Sequence, residues 1–105
     1  MPSWLPKDHN CVCPYVHASD VGALIEFLKT TFGAVELFRM AGPDGRVAHA
    51  EVKIADSIVM MGSPPPGKAM PAQIHCYVED VDAVHRRALA AGAKSVRELT
   101  TSETW

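Results

Sequence analysis

The sequence predicts an α+β fold of paired βαβββ modules, the second incomplete (β-α-β), with a curved mixed sheet and helices on its outer face. Three observations predict it. Residues 11–62 read strand, helix, strand, strand, strand. A proline-rich connector follows at 62–72. Residues 73–105 then begin the same series again, with strand, helix and strand. The 105 residues make one domain, divided into module one (about 11–62), the connector, and a partial module two (73–105).

Residues 11–18, CVCPYVHA, form the first expected strand; Pro14 has no N–H, which places it at a sheet edge or gives it an irregular start. Asp20 is an N-cap residue. Val21, Leu24, Ile25, Leu28 and Phe32 recur at helical spacing, and Gly33 ends the helix. Two strand-like runs, 35–40 and 46–54, flank the turn Gly42-Pro43-Asp44-Gly45. Ala55-Asp56 is a shorter turn, and 57–61 is the next strand. Pro64, Pro65, Pro66, Gly67 and Pro71 forbid a regular helix or a central strand in the connector. Residues 73–79 read as a strand and Asp80 as a second N-cap. Val81, Val84, Ala88 and Ala91 make a helical stripe closed by Gly92, and 94–99 read as one more strand.

The two units repeat each other. Asp20-Val21 and Asp80-Val81 each follow a strand and open a helix, Ala23 matches Ala83, and Gly33-Ala34 matches Gly92-Ala93 after a one-residue slip. The physical reason for duplication is burial. One unit is a small curved sheet with an open inner face, and a second unit beside it encloses a pocket.

Composition narrows the function. Charged residues are 21% of the chain and the net charge is −2, so no basic surplus exists to neutralise a phosphate backbone, and no nucleic-acid partner is expected. No apolar run is long enough to span a bilayer, so no membrane partner is expected either. Residues 1–10 lack the apolar stretch of a secretory signal and read as a flexible arm carrying Trp4 and His9. Cys11, Cys13 and Cys76 are an odd set without a disulfide framework. The expected compartment is the cytoplasm.

Pro14-Tyr15 through Asp20, Ile25-Glu26-Phe27, Phe32-Gly33-Ala34, and 36–40 leading into 42–46 together resemble the vicinal oxygen chelate superfamily. His49-Ala50-Glu51 and the run 77–83 add to the likeness, which covers roughly residues 11–99. The superfamily takes in glyoxalases, bleomycin resistance proteins and dioxygenases; small bacterial glyoxalase-like proteins are the most similar branch. Such a fold hosts several reactions and some metal-free binders, so it does not name one.

The resemblance implies a divalent metal or a ligand in the cavity, and frequent dimers. The family's ligand positions fall on Cys13, near Met60, and on Gln73; the last-strand position would lie beyond residue 105. A catalytic metal needs about three ligands from His, Glu, Asp or Cys, and a thioether suits hard divalent ions badly. No metal is therefore expected as cofactor. The resemblance also implies two further strands after residue 105. Without them the second sheet has an exposed edge and apolar face, and a homodimer is expected to cover it by edge pairing or exchange of a module.

Strand alternation puts Cys13, Tyr15 and His17 on one face, groups His49, Glu51 and Lys53, and separately groups Gln73, His75, Tyr77 and Glu79. The opposite faces, with Val12 and Val16, then Ala50, Val52 and Ile54, then Ile74, Cys76 and Val78, are expected to pack under the helices. Cys13, Tyr15, His17, His49, Glu51, Gln73, His75 and Tyr77 are thus the expected ligand-binding face of the cavity. Taken singly, each reads first as a partly solvated side chain on an open sheet. Taken together they form a polar pocket, with His75 or His49 as a general base and Glu51 orienting it. Cys13 reads first as a small core residue rather than a reactive thiol.

The sequence therefore favours a small-molecule binder without the usual metal site. The alternatives are a metal-dependent lyase, isomerase or dioxygenase of the same superfamily, and a non-catalytic short member that acts by self-assembly.

Overall fold

In order along the chain come β1 (Tyr15–His17), α1 (Val21–Phe32), β2 (Val35–Ala41), β3 (Val47–Ile54), β4 (Ser57–Gly62) and α2 (Val81–Ala90). This computed structural model describes residues 4–100; residues 1–3 and 101–105, at the ends of the expected arm and of the expected second module, lie outside the described residues. The four strands form one mixed sheet in the order β1-β4-β3-β2. β1 pairs parallel with β4, and the other two pairings are antiparallel.

α1 forms where local chemistry and burial agree. The Asp20 carboxylate accepts from the Ala23 N–H at 3.0 Å and caps the first turn. Gly33, at φ 67°, turns the chain out in the left-handed region that glycine tolerates best. Between the caps Val21, Ile25 and Leu28 face the sheet and pack on Ala50 and Val52 of β3 and Val59 and Met61 of β4. Ile25 is wholly buried; removing such a side chain from water contributes roughly 2–3 kcal/mol. This contact fixes which face of the sheet is core and leaves the other face for the site.

β1 is shorter than the expected strand over 11–18. Pro14 accepts from the Met60 N–H through its carbonyl at 2.9 Å but has no N–H to return. Regular pairing therefore starts only at Tyr15, which sits opposite Met60. Val12, expected under a helix, is 80% exposed.

β2 and β3 form the expected hairpin, with a β-bulge between Glu36 and Phe38. Glu36 pairs opposite Val52, on the α1 side, and its carboxylate meets Lys29 of α1 at 3.1 Å. Strict alternation would place Phe38 on that side too. The extra residue, Leu37, moves Phe38 opposite Glu51 and Met40 opposite His49, on the other face.

The second unit departs furthest from expectation. Its helix forms: Asp80 accepts from the Ala83 N–H at 3.0 Å, and Gly92 at φ 107° follows the last turn. The strands expected at 73–79 and 94–99 are not hydrogen-bonded strands. The reason lies in the pairing of unit one, where the first strand is held by the fourth strand of its own unit. Among the described residues no strand offers residues 73–79 the pairing that β4 gives β1. Before them, Met70 donates its N–H to the His17 carbonyl of β1 at 3.2 Å. Ile74, expected beneath a helix, is 44% exposed.

α2 packs beside α1, and the Arg87 guanidinium donates to the Thr31 carbonyl at 3.1 Å. Arg87 thus ties the two helices together instead of being simply solvated. Among the described residues no helix is long and apolar enough to cross a membrane.

Candidate functional site: the open face of the sheet

The face turned away from α1 carries two rows of side chains. Tyr15, Met60, Glu51 and Phe38 lie opposite one another across β1, β4, β3 and β2. His17 stands opposite Gly62 on β1 and β4, and His49 opposite Met40 on β3 and β2. The expected members Tyr15, His17, His49 and Glu51 are therefore brought together.

A hydrogen-bonded chain runs through them. His9 Nδ1–H donates to the Lys7 carbonyl at 2.8 Å, and its Nε2–H donates to Glu51 Oε1 at 2.6 Å. His49 Nε2–H donates to Glu51 Oε2 at 2.8 Å. The Tyr15 hydroxyl and His49 Nδ1 are hydrogen-bonded at 3.2 Å. Both partners of His9 only accept when Glu51 is ionised, so His9 carries both ring protons and is an imidazolium. The Glu51 carboxylate fixes the Nε2–H of His49 in the same way.

The electrostatics agree. The pKa of His9 is raised, first by the Lys7 carbonyl, then by the Glu51 hydrogen bond; partial burial opposes this, and the Glu51 and Asp8 charges add to it. For Glu51, burial works to raise the carboxyl, but the hydrogen bonds from His49 and His9 and their charges prevail and hold it below its ordinary value.

Rings wall the cluster. Tyr15 lies 4.9 Å from His17 and 5.6 Å from His49 between ring centroids, and Phe38 lies 6.0 Å from His49. Gly62 makes this possible. A Cβ there would stand 2.6 Å from the Tyr15 hydroxyl and 2.8 Å from the Ala48 carbonyl. The glycine is the space through which Tyr15 reaches His49.

Gln73, His75, Tyr77 and Cys13 do not join the chain. His75 and Tyr77 pack edge to face at 4.7 Å. They line a cavity of about 700 Å³ at the β3–β4 turn, with Asn10, Val12, Ile54, Ile58, Ile74 and Cys76 among its walls. Burial pushes the Cys76 thiol up, away from reactivity. Gln73 is exposed, outside that lining. Cys13 precedes the strand and its thiol donates to the Asn10 carbonyl at 3.3 Å. The expected single cavity is thus two neighbouring regions: a polar, ring-walled face and an apolar cavity beside it.

Sequence reasoning missed His9, Phe38, Met40 and Gly62. His9 was placed in a flexible arm, because a single histidine outside any periodic segment carries no positional signal. Gly62 read as the start of the connector. Phe38 and Met40 are misplaced by any strict alternation, since the bulge is invisible to it.

The resemblance puts the metal positions at Cys13, near Met60 and at Gln73. Cys13 precedes β1 with its thiol on the Asn10 carbonyl, and the residue opposite Met60 is Tyr15, a phenol beside a thioether. Among the described residues no group of three or more His, Cys, Asp or Glu side chains has an arrangement that could hold an ion. Both Nε2 atoms of the histidine pair are engaged with Glu51 instead.

Solved structures share this architecture. TioX from a Micromonospora species is 24% identical, with a TM-score of 0.63, covering 90% of this chain and 79% of TioX. An Arabidopsis thaliana gene product is 23% identical, with a TM-score of 0.66, covering 86% and 79%. The fosfomycin resistance protein FosX of Listeria monocytogenes is 16% identical, with a TM-score of 0.62, covering 90% and 74%. The chain has a vicinal oxygen chelate fold.

No family model matches the sequence. Uncharacterized proteins of Mycobacterium bovis and Mycobacterium tuberculosis are 40% identical over 98 residues, covering 82% of this chain. The chain spans 64% of the length of the first and 58% of the second, about three fifths of these relatives. In vicinal oxygen chelate terms, the described elements are a complete first βαβββ module and the helix of a second.

Proposed function

We propose that the open sheet face binds a small, flat organic molecule without the metal usual for this fold. The observation that carries the reading is the ordered chain from Lys7 through His9, Glu51 and His49 to Tyr15, set among the rings of His17 and Phe38. Rings supply a stacking surface for a planar ligand. The Tyr15 oxygen, held in place by its bond to His49, supplies an acceptor for a ligand N–H or O–H. Glu51 is spent on two histidines and serves to position His49. A FosX structure of the same fold was solved with Mn(II) and 1S,2S-dihydroxypropylphosphonic acid, which supports the small-molecule half of the reading. The donor set at Tyr15 and Met60 favours the metal-free half.

Indole, flat and carrying one N–H, is a suitable probe. Titrated into isotope-labelled protein, it should shift the NMR signals of Tyr15, Phe38, His49 and Met60, and Tyr15→Phe should weaken it. Shifts confined to residues 54–59 and 74–77 would move the site to the neighbouring cavity and end this reading. A stoichiometric divalent ion held by the purified protein at these residues would restore the metal-dependent lyase, isomerase or dioxygenase.

Self-association is a second reading, favoured by β2. This edge strand pairs only with β3 and leaves Leu37, Phe38 and Met40 about half exposed. Such an edge is a template for another chain, and a second copy is the proposed partner. Light scattering at micromolar concentration should return the mass of two chains; the mass of one would remove the proposal. Three free cysteines, Cys11, Cys13 and Cys76, fit the reducing cytoplasm.

A further inference from the structure

The arm before β1 touches both regions of the site. His9 lies on Glu51, with only 17% of its side chain exposed. Asn10 and Val12, next along the chain, are walls of the cavity that His75 and Tyr77 line. Within the arm the His9 N–H donates to the Pro6 carbonyl in a turn, and the Cys13 thiol donates to the Asn10 carbonyl. The arm's side-chain link to the sheet face is the bond to Glu51.

We propose that residues 7–12 form a pH-gated strap across the ligand face, pinned by the His9 imidazolium between the Lys7 carbonyl and the Glu51 carboxylate, and freed when that ring loses a proton. The proposal deepens the ligand-binding reading, on which its role in access rests; the motion of the strap does not. Neutral His9 has one N–H for two acceptors. It must then leave either Lys7, which folds the arm back on itself, or Glu51, which holds the arm to the sheet.

The charged groups around His9 set the window. Asp8 on the arm and Glu51 on β3 favour its proton. His49 holds the other Glu51 oxygen, with Tyr15 behind it, and Lys53 shares the sheet face two residues along β3. Because the His9 pKa is raised, its share of the strap's stability is complete below the ordinary imidazole pKa and is lost as pH rises through the raised value. Because the Glu51 pKa is lowered, its share is complete above the ordinary carboxyl pKa and is lost as pH falls through the lowered value. The strap is closed between those limits.

The test is an NMR titration of the full chain with labelled histidines and amides, without ligand. His9 should show two protonated ring nitrogens at neutral pH. It should titrate above the ordinary value of about 6.5, and the amides of residues 8–12 should move to disordered positions with the same midpoint. In Glu51→Gln that midpoint should fall toward the ordinary value, and His9→Gln should show a released arm at every pH. A His9 midpoint at the ordinary value in the unaltered protein, or arm amides that stay still through it, overturns the strap. If His9→Gln does not fold, Glu51→Gln and the unaltered chain decide the matter. Indole is then added at about pH 6 and about pH 9. Binding should strengthen by about threefold or more at the higher pH and lose that dependence in His9→Gln. A moving strap with no indole binding retains the gate and removes the ligand reading; bound indole with a still arm does the reverse.

Discussion

The two helices of this protein begin alike and end in different circumstances. Asp20 and Asp80 accept from the N–H three residues on at the same distance, 3.0 Å. α1 then buries Val21, Ile25, Leu28 and Thr31, whereas α2 buries none of its residues. The segment before α1 is paired in a sheet, and the segment before α2 is not. Local capping chemistry therefore suffices to start a helix in both units. Burial and strand pairing, which need partners distant in sequence, separate an ordered module from a tethered helix.

The largest expected break in this comparison comes from the core of unit one. Ile25→Ala removes a wholly buried side chain and should cost about 3 kcal/mol, read as a lower urea midpoint for the whole sheet. Gly62→Ala should cost about 2 kcal/mol, because the Ala48 carbonyl cannot withdraw as the Tyr15 side chain can; the Tyr15–His49 bond should be lost with it. The caps sharpen the contrast. Asp20→Ala and Asp80→Ala should each cost about 1 kcal/mol, but hydrogen exchange should report the first loss across the sheet and the second within α2 alone. Leu89→Ala, at a position 43% exposed, should shift the midpoint by less than about 0.5 kcal/mol.

Unit one was legible because its signals are local and consistent. The Asp20 cap, the apolar stripe of α1, the turn at 42–45 and the alternation of Ala50 and Val52 all name the same structure. The shared face of His49 and Glu51 follows from that alternation alone. Unit two misled at the strands. Residues 73–79 alternate as a strand would, yet a strand exists only through the hydrogen bonds of a neighbour. His9 escaped notice for a related reason: its partner Glu51 lies 42 residues away, and no pattern near His9 announces the meeting. Cys13 was grouped with Tyr15 on the assumption that pairing extended past Pro14, which lacks the donor to extend it.

Side-chain parity along a strand behaves like a reading frame, and Leu37 is a one-residue insertion in it. Upstream of it, Glu36 is read onto the helix side and meets Lys29. Downstream, Phe38 and Met40 are read onto the site side and meet Glu51 and His49. Pairing the strand in one frame with Leu37 in place would give up either the ion pair to α1 or the Phe38 wall of the site. A single insertion has thus given one short strand two vocabularies, charged toward the helix and aromatic toward the ligand face, with no change in the order of strands that defines the fold.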